Sequence, residues 1–286
     1  MLAAHPEADR ALLRPLLATL AALAALPARA EVAPCWYDNG VVVIAASVLG
    51  VAGDYILDTA EPATLLDETR AQGAGFTGAL LKGQVRLAGV QIDEAPVKVE
   101  KLDARTVFLP TPVAGVIGAD VLRNKVLEVQ FAPCRVQLWT RRPPAFGPGL
   151  ALPLAWRGPR PVVAAAVSDG HSAWPGEFTP GTGVDRPLRL DDRLAQAPAA
   201  KKPLELYPGG IGSGRLAGLS FGGLAFQDID TALFKGEFAT PAPAGLIGAP
   251  VLAHFRLRFD FPGRRLWLAP ASTPETKRAP EKTPGP

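Results

Sequence analysis

The sequence is poor in the residues on which most enzyme chemistries depend. Its 3 histidines, His5, His171 and His254, are far apart, so no metal-ligand set and no Ser-His or Cys-His system can be assembled from neighbours in sequence. No metal and no cofactor are expected. There is no P-loop. Gly73-Ala-Gly-Phe-Thr-Gly78 fits a G-x-G-x-x-G spacing but lacks the strand–helix frame of a dinucleotide site, so it reads as a flap or loop. Ser213 lies in a glycine run, but Ile211 and Arg215 spoil a nucleophile elbow. The net charge is only +3, and no basic stripe alternates with aromatics, which excludes a nucleic-acid partner. After the first thirty residues no stretch is long and apolar enough to span a bilayer.

What the chain has in quantity is turn formers. Its 30 prolines and 29 glycines punctuate many short Val/Leu runs, a pattern that predicts an all-β fold. It also repeats itself. Ala114-Gly-Val-Ile-Gly-Ala-Asp-Val-Leu122 returns as Ala244-Gly-Leu-Ile-Gly-Ala-Pro-Val-Leu252, and 11 of 25 positions are identical between 114–138 and 244–268. Two long copies in register imply duplication, hence two equivalent lobes with a cleft between them.

The organisation follows from composition. Arg14, the apolar run from Pro15 to Leu26 and Ala28-Arg29-Ala30 read as a signal peptide over residues 1–30, implying an exported, periplasmic protein. An oxidising compartment favours a disulfide between Cys35 and Cys134, the alternative being two unpaired thiols. The first lobe is expected over 31–140, a Pro/Gly-rich linker over 141–150, the second lobe over 151–270 and a disordered tail over 271–286. In the first lobe, strands are predicted at 41–48 and 55–57 with a turn over 49–54. A helical turn is expected at 65–71 and a hairpin turns at Ala88-Gly89. In the second, Val162–Ser168 answers the first strand, Leu190–Ala195 answers the helical turn and Leu219–Phe226 answers the hairpin.

Ile56-Leu57-Asp58-Thr59-Ala60 places a carboxylate at the end of an apolar strand, followed by a hydroxyl and a small residue. Val116-Ile117-Gly118 comes sixty residues later. An apolar strand into Asp-Thr-Gly, a Gly-rich flap and a later apolar-apolar-Gly strand resemble the retropepsin-like and pepsin-like aspartic peptidases, and the two repeats look like the bacterial exported members. The resemblance covers nearly all of residues 35–270 and implies two homologous lobes, each a six-stranded barrel of the acid protease fold. It implies that each lobe gives one Asp to a dyad at the interface. Two close carboxylates share one proton, so one activates water while the other donates to the scissile carbonyl. It further implies that Thr59 and Thr182 exchange hydrogen bonds across the interface, and that Gly118, Gly183 and Gly248 support the site.

The second lobe departs from this pattern. Five residues from Gly53 lead to Asp58, and five from Gly176 lead to Gly181, so its motif reads Gly181-Thr182-Gly183. Glycine has nothing to ionise. In the first lobe Ala60 replaces the usual glycine. Phe76 and Tyr207 are the aromatics expected to border the cleft. The expectation is therefore a monomeric aspartic-peptidase-like protein with an incomplete dyad that binds extended peptides with little or no hydrolysis. Two alternatives remain at this point: an active endopeptidase in which Asp58 is completed by Asp185 or by another chain, and a non-enzymatic envelope scaffold.

Overall fold

A computed structural model describes residues 31–191, 204–207, 211–234 and 245–271. The proposed signal peptide, residues 192–195 of the second helical turn and 272–286 of the tail lie outside the described residues.

The strands of the first half are β1 (Val32–Asp38), β2 (Val41–Val48), β3 (Val51–Leu57), β4 (Leu65–Asp67), β5 (Leu80–Leu87), β6 (Val90–Glu100), β7 (Gly115–Ile117), β8 (Val126–Phe131) and β9 (Cys134–Trp139). Three short helical turns interrupt them: α1 (Glu68–Gly73), α2 (Asp103–Thr106) and α3 (Ala119–Leu122). The second half has β10 (Leu150–Pro153), β11 (Ala155–Arg157), β12 (Arg160–Ser168), β13 (Ala173–Gly181), β14 (Leu188–Asp191), β15 (Leu204–Tyr207), β16 (Ile211–Phe221), β17 (Leu224–Phe234), β18 (Gly245–Gly248), β19 (Phe255–Asp260) and β20 (Arg265–Pro270), with α4 (Ala249–Leu252).

Six strands of each half close into a barrel. In the first lobe the order is β2-β3-β7-β4-β6-β5, closed by pairing of β2 with β5. In the second it is β12-β13-β18-β14-β17-β16, closed by β12 with β16. The crossings match strand for strand: β3 runs parallel to β7 and β4 to β6, as β13 does to β18 and β14 to β17. The duplication read from the 114–138 and 244–268 repeats is thus a duplication of fold. The repeats themselves become β7-α3-β8-β9 and β18-α4-β19-β20.

Of the remaining strands, β11 and β15 extend the second lobe by pairing with β12 and β16, and the other six join the lobes. The order β10-β20-β19-β8-β9-β1 forms a sheet whose centre is the antiparallel pairing of β8 with β19, one from each repeat. There Arg258 lies opposite Glu128 and donates to Glu128 Oε2 at 2.8 Å, while Arg256 reaches Oε1 at 3.2 Å. Arg258 also donates to Pro144 O at 2.6 Å, which pins the connection between the lobes to this sheet. A disulfide joins Cys35 to Cys134 across a separation of 99 residues. Closing a loop of that size removes roughly 4–5 kcal/mol of unfolded-chain entropy.

Local chemistry explains the elements. In β2 every residue from Val41 to Ile44 is buried: Val42 and Ile44 enter the main core, and Val41 and Val43 enter a smaller cluster with Ile56, Leu65 and Val116. A strand apolar on both faces is one sandwiched between two layers. The predicted turn over 49–54 is shorter in the structure. Leu49 and Gly50 alone have positive φ, and β3 already begins at Val51. A two-residue turn with both φ positive matches the twist of paired strands, so the ladder zips up to it. The hairpin turn at Ala88-Gly89 is of the same kind, with φ of 46° and 72°. The helical turn expected over 65–71 splits: Leu65–Asp67 join the barrel as β4, and α1 starts after Asp67, whose carboxylate caps the N–H groups of Thr69 and Arg70.

Candidate functional site

Asp58 stands where β3 leaves its barrel, and its N–H donates to Ile117 O of the neighbouring β7 at 3.0 Å. Gly181 ends β13 at the matching place beside Gly248 of β18. The two motifs, Asp58-Thr59-Ala60-Glu61 and Gly181-Thr182-Gly183-Val184, meet between the lobes. Thr59 Oγ1 donates to Pro180 O at 2.6 Å and accepts from Thr182 N at 3.3 Å. Thr182 Oγ1 donates to Leu57 O at 2.6 Å and accepts from Thr59 N at 3.2 Å. Both threonines are fully buried, so this reciprocal set fixes one motif against the other.

The supporting loops are also paired. Ala119 N donates to Glu61 O and Ala249 N to Val184 O, at 2.7 and 2.9 Å. Gly118 and Gly248 are required by close approach: a Cβ would stand 2.4 Å from Ala63 O in the first case and 1.8 Å from Arg186 O in the second. One brace differs. Thr64 Oγ1 donates to Asp120 Oδ1 at 2.7 Å and accepts from Gly118 N at 3.2 Å. The corresponding residues of lobe two are Pro187 and Pro250, and there Gly248 N donates to the Pro187 carbonyl instead.

Around Asp58 the two-fold likeness fails. A Cβ on Gly183 would lie 2.5 Å from Asp58 Cβ, so the bare backbone of lobe two is what admits the Asp58 side chain. A Cβ on Gly181 would lie 2.8 Å from Ala60 Cβ and 2.5 Å from Val184 Cγ2. The room for a second carboxylate is therefore filled. Ala60, Val184 and Leu246 form a buried apolar cluster in its place.

Asp58 is 2% exposed and its carboxylate is engaged on both oxygens. Oδ1 accepts from Ala60 N at 2.9 Å. Oδ2 accepts from Arg105 Nη2 at 2.9 Å, while Arg105 Nη1 donates to Glu61 Oε2 at 2.6 Å. One guanidinium thus bridges two carboxylates three residues apart. Burial works against the Arg105 charge, but Asp58 and Glu61 together outweigh it and raise its pKa above the usual value. Burial raises the pKa of Glu61 too, against the opposing pull of Arg105.

The cleft at this point is a cavity of about 490 Å³, with Asp58 and Ala60 from one lobe and Gly183 and Val184 from the other. Its walls carry four carboxylates, Asp58, Glu61, Glu100 and Asp185, and three guanidiniums, those of Arg105, Arg160 and Arg189. Asp185 is paired with Arg189. Among the described residues the aromatic at the cavity is Phe108. Phe76 is only partly buried and packs against the main core instead, because α1 ends beside it and its N–H is taken by Ala71 O. The Tyr207 side chain lies outside the described residues. Arg105, Glu61 and Val184 were not singled out from the sequence. Glu61 and Val184 directly follow the two motifs and are detectable by aligning them. Arg105 comes from a segment with no repeat partner in the alignment and carries no local signal.

Two six-stranded barrels, a sheet joining them and paired threonines between their motifs define the two-lobed fold of the aspartic proteases. No protein-family model matches the sequence, and no curated protein matches it. Among solved structures the chain is similar to the crystal structure of an aspartic proteinase from Irpex lacteus. The two share 13% sequence identity and a TM-score of 0.52, over 85% of this chain and 97% of that one. That likeness is one of fold.

Proposed function

We propose that the protein is an exported, monomeric aspartic-peptidase-like protein that binds extended peptide segments between its lobes with little or no hydrolysis. The observation that carries this reading is the pairing of Gly181 with Ala60 and Val184 opposite Asp58. Acid–base hydrolysis by this fold needs two adjacent carboxylates that share a proton. Here one position has no side chain, its space holds two apolar groups, and the remaining carboxylate is in an ion pair with Arg105. Asp185, the nearest acid in sequence to Gly181, is engaged by Arg189, which counts against its completing a dyad.

Peptide binding is supported by the open groove between two β lobes, where an extended chain is recognised by strand-like hydrogen bonds and side-chain pockets. Export is supported by the leader pattern in residues 1–30 and by the Cys35–Cys134 disulfide, which persists in oxidising compartments. In this reading residues 31–140 and 151–270 are the two lobes and 141–150 the linker.

The test is paired. The mature chain is assayed between pH 3 and 7 for cleavage of denatured casein, with and without pepstatin, and for binding to a library of extended peptides. Binding without cleavage is expected. Pepstatin-sensitive cleavage lost in Asp58→Asn overturns the assignment, and absence of binding to every peptide favours the scaffold alternative.

A further inference from the structure

Arg105 belongs to a strap between two buried anchors, Leu102 and Val113, that crosses the first lobe's side of the cleft. Besides Arg105 itself, the strap is held by Leu109, partly buried against the same cluster as the two anchors, by turn bonds within the segment and by two hydrogen bonds to the rest of the lobe. Leu102 N donates to Asp67 Oδ2 at 3.4 Å, Asn39 donates to the Phe108 carbonyl, and α2 is a single turn. Between the anchors, Val107 and Phe108 are 69% and 61% exposed. They are the one adjacent pair among the exposed large apolar side chains of the described residues. By contrast, the carboxylate that Arg105 meets is among the most buried polar groups of the protein. A buried carboxylate, Asp58, and a mostly buried one, Glu61, are therefore capped by a donor on a surface segment, with the guanidinium still one-third exposed.

We infer that Asp58 and Glu61 form a subsite for a guanidinium side chain, filled by Arg105 in the free protein and yielded to an arginine of a bound peptide. This rests on the peptide-binding reading above. The geometry selects arginine over lysine. The two carboxylates are met by separate nitrogens of one planar fork, Nη1 on Glu61 and Nη2 on Asp58, and a single ammonium lacks that fork. Charge agrees. With Arg105 in place the cavity walls carry one more carboxylate than guanidinium, and with it withdrawn they carry two more. Val107 and Phe108, displaced along with Arg105, supply apolar contacts for residues flanking the incoming arginine.

The probe is a fluorescein-labelled, end-blocked heptapeptide with a central arginine flanked by valine and phenylalanine. Its twin carries citrulline, which has the same shape and no charge. The arginine peptide is expected to bind the wild-type chain, and the citrulline peptide about tenfold more weakly. Arg105→Ala is expected to bind the arginine peptide about tenfold more tightly, because an internal competitor has been removed. Glu61→Gln is expected to weaken it. Equal affinity for both peptides, or weaker binding by Arg105→Ala, overturns the subsite while leaving peptide binding intact. If Arg105→Ala does not fold, Arg105→Gln replaces it. Methylguanidinium separates the two readings: it is expected to raise the Tm of Arg105→Ala and not that of Arg105→Ala/Asp58→Asn. If that shift appears but no peptide binds any variant, the peptide reading fails and the cation subsite stands; if it is absent, the subsite is rejected.

Discussion

Ala60 and Gly181 are matched across the lobe interface: a Cβ on Gly181 would stand 2.8 Å from that of Ala60, closer than two such carbons approach. The reverse pair, Asp58 and Gly183, obeys the same rule, with 2.5 Å for a Cβ at 183. Each motif offers bare backbone where the other offers a side chain. A second aspartate and Ala60 are thus mutually exclusive, and the two departures from the Asp-Thr-Gly pattern are one structural change rather than two.

Gly181→Asp alone is therefore expected to fail as a repair. It forces a side chain against Ala60 and Val184, and overpacking of this kind costs about 1–3 kcal/mol. Urea unfolding is expected to show that loss, with no casein cleavage at acidic pH. Adding Ala60→Gly and Val184→Ser relieves both contacts, and stability is expected to return most of the way. A single Gly181→Asp variant as stable as wild type rejects the steric account.

The threonine pair carries the second prediction. Thr59→Val removes the donor to Pro180 O and the acceptor of Thr182 N, all in a buried interface. Leaving buried polar groups unpaired costs about 1–3 kcal/mol. Thr182→Val does the same to Leu57 O and Thr59 N. The double variant is expected to depart from the sum of the singles, since each hydroxyl serves the other threonine's N–H. Strict additivity in a double-mutant cycle contradicts a coupled unit.

Glu61 sets a pH dependence. Burial raises its pKa above the ordinary 4.5, so the folded chain holds this proton more tightly than the unfolded chain does. Its contribution is fully present below the unfolded value and is lost as pH rises through the folded one. Glu61→Gln has no proton to lose. The stability of the variant relative to wild type is expected to increase from pH 4 upward and then level off, measured by urea unfolding at each pH. A difference that does not change with pH contradicts burial as the dominant influence on Glu61.

Much of this was legible in the residues. The 114–138 and 244–268 repeats gave the duplicated lobes because both copies carry the same close approaches, Gly118 on Ala63 O and Gly248 on Arg186 O, which only glycine tolerates. Counting from Gly53 and Gly176 placed Gly181 opposite Asp58 because β3 pairs with β7 in the register in which β13 pairs with β18, Leu57 facing Ile117 as Pro180 faces Ile247. The Arg105 bridge was not legible. Which cation reaches a carboxylate 47 positions away depends on how the strap folds over the cleft, and no periodicity encodes that. Nor was the start of β3 at Val51 legible, because a glycine-rich stretch reads as turn until its pairing partner is known. Phe76, expected at the cleft, is partly buried against the main core, a contact that its neighbouring glycines do not signal.

Thr179 gives a prediction of the opposite sign. It is fully buried in β13, two residues before Gly181, and its hydroxyl has no hydrogen-bond partner among the described residues. Its counterpart in the first lobe, by the same spacing that relates Asp58 to Gly181, is Ile56. Ile56 is likewise buried, so the fold accepts an apolar side chain at that place, and a buried hydroxyl without a partner costs about 1–3 kcal/mol of desolvation. Thr179→Val keeps the shape and removes the cost. The variant is expected to gain about 1 kcal/mol in urea unfolding with an unchanged m-value, since valine also suits a buried strand. A loss of stability of similar size indicates instead that the hydroxyl is bound by ordered water, which valine displaces without replacement.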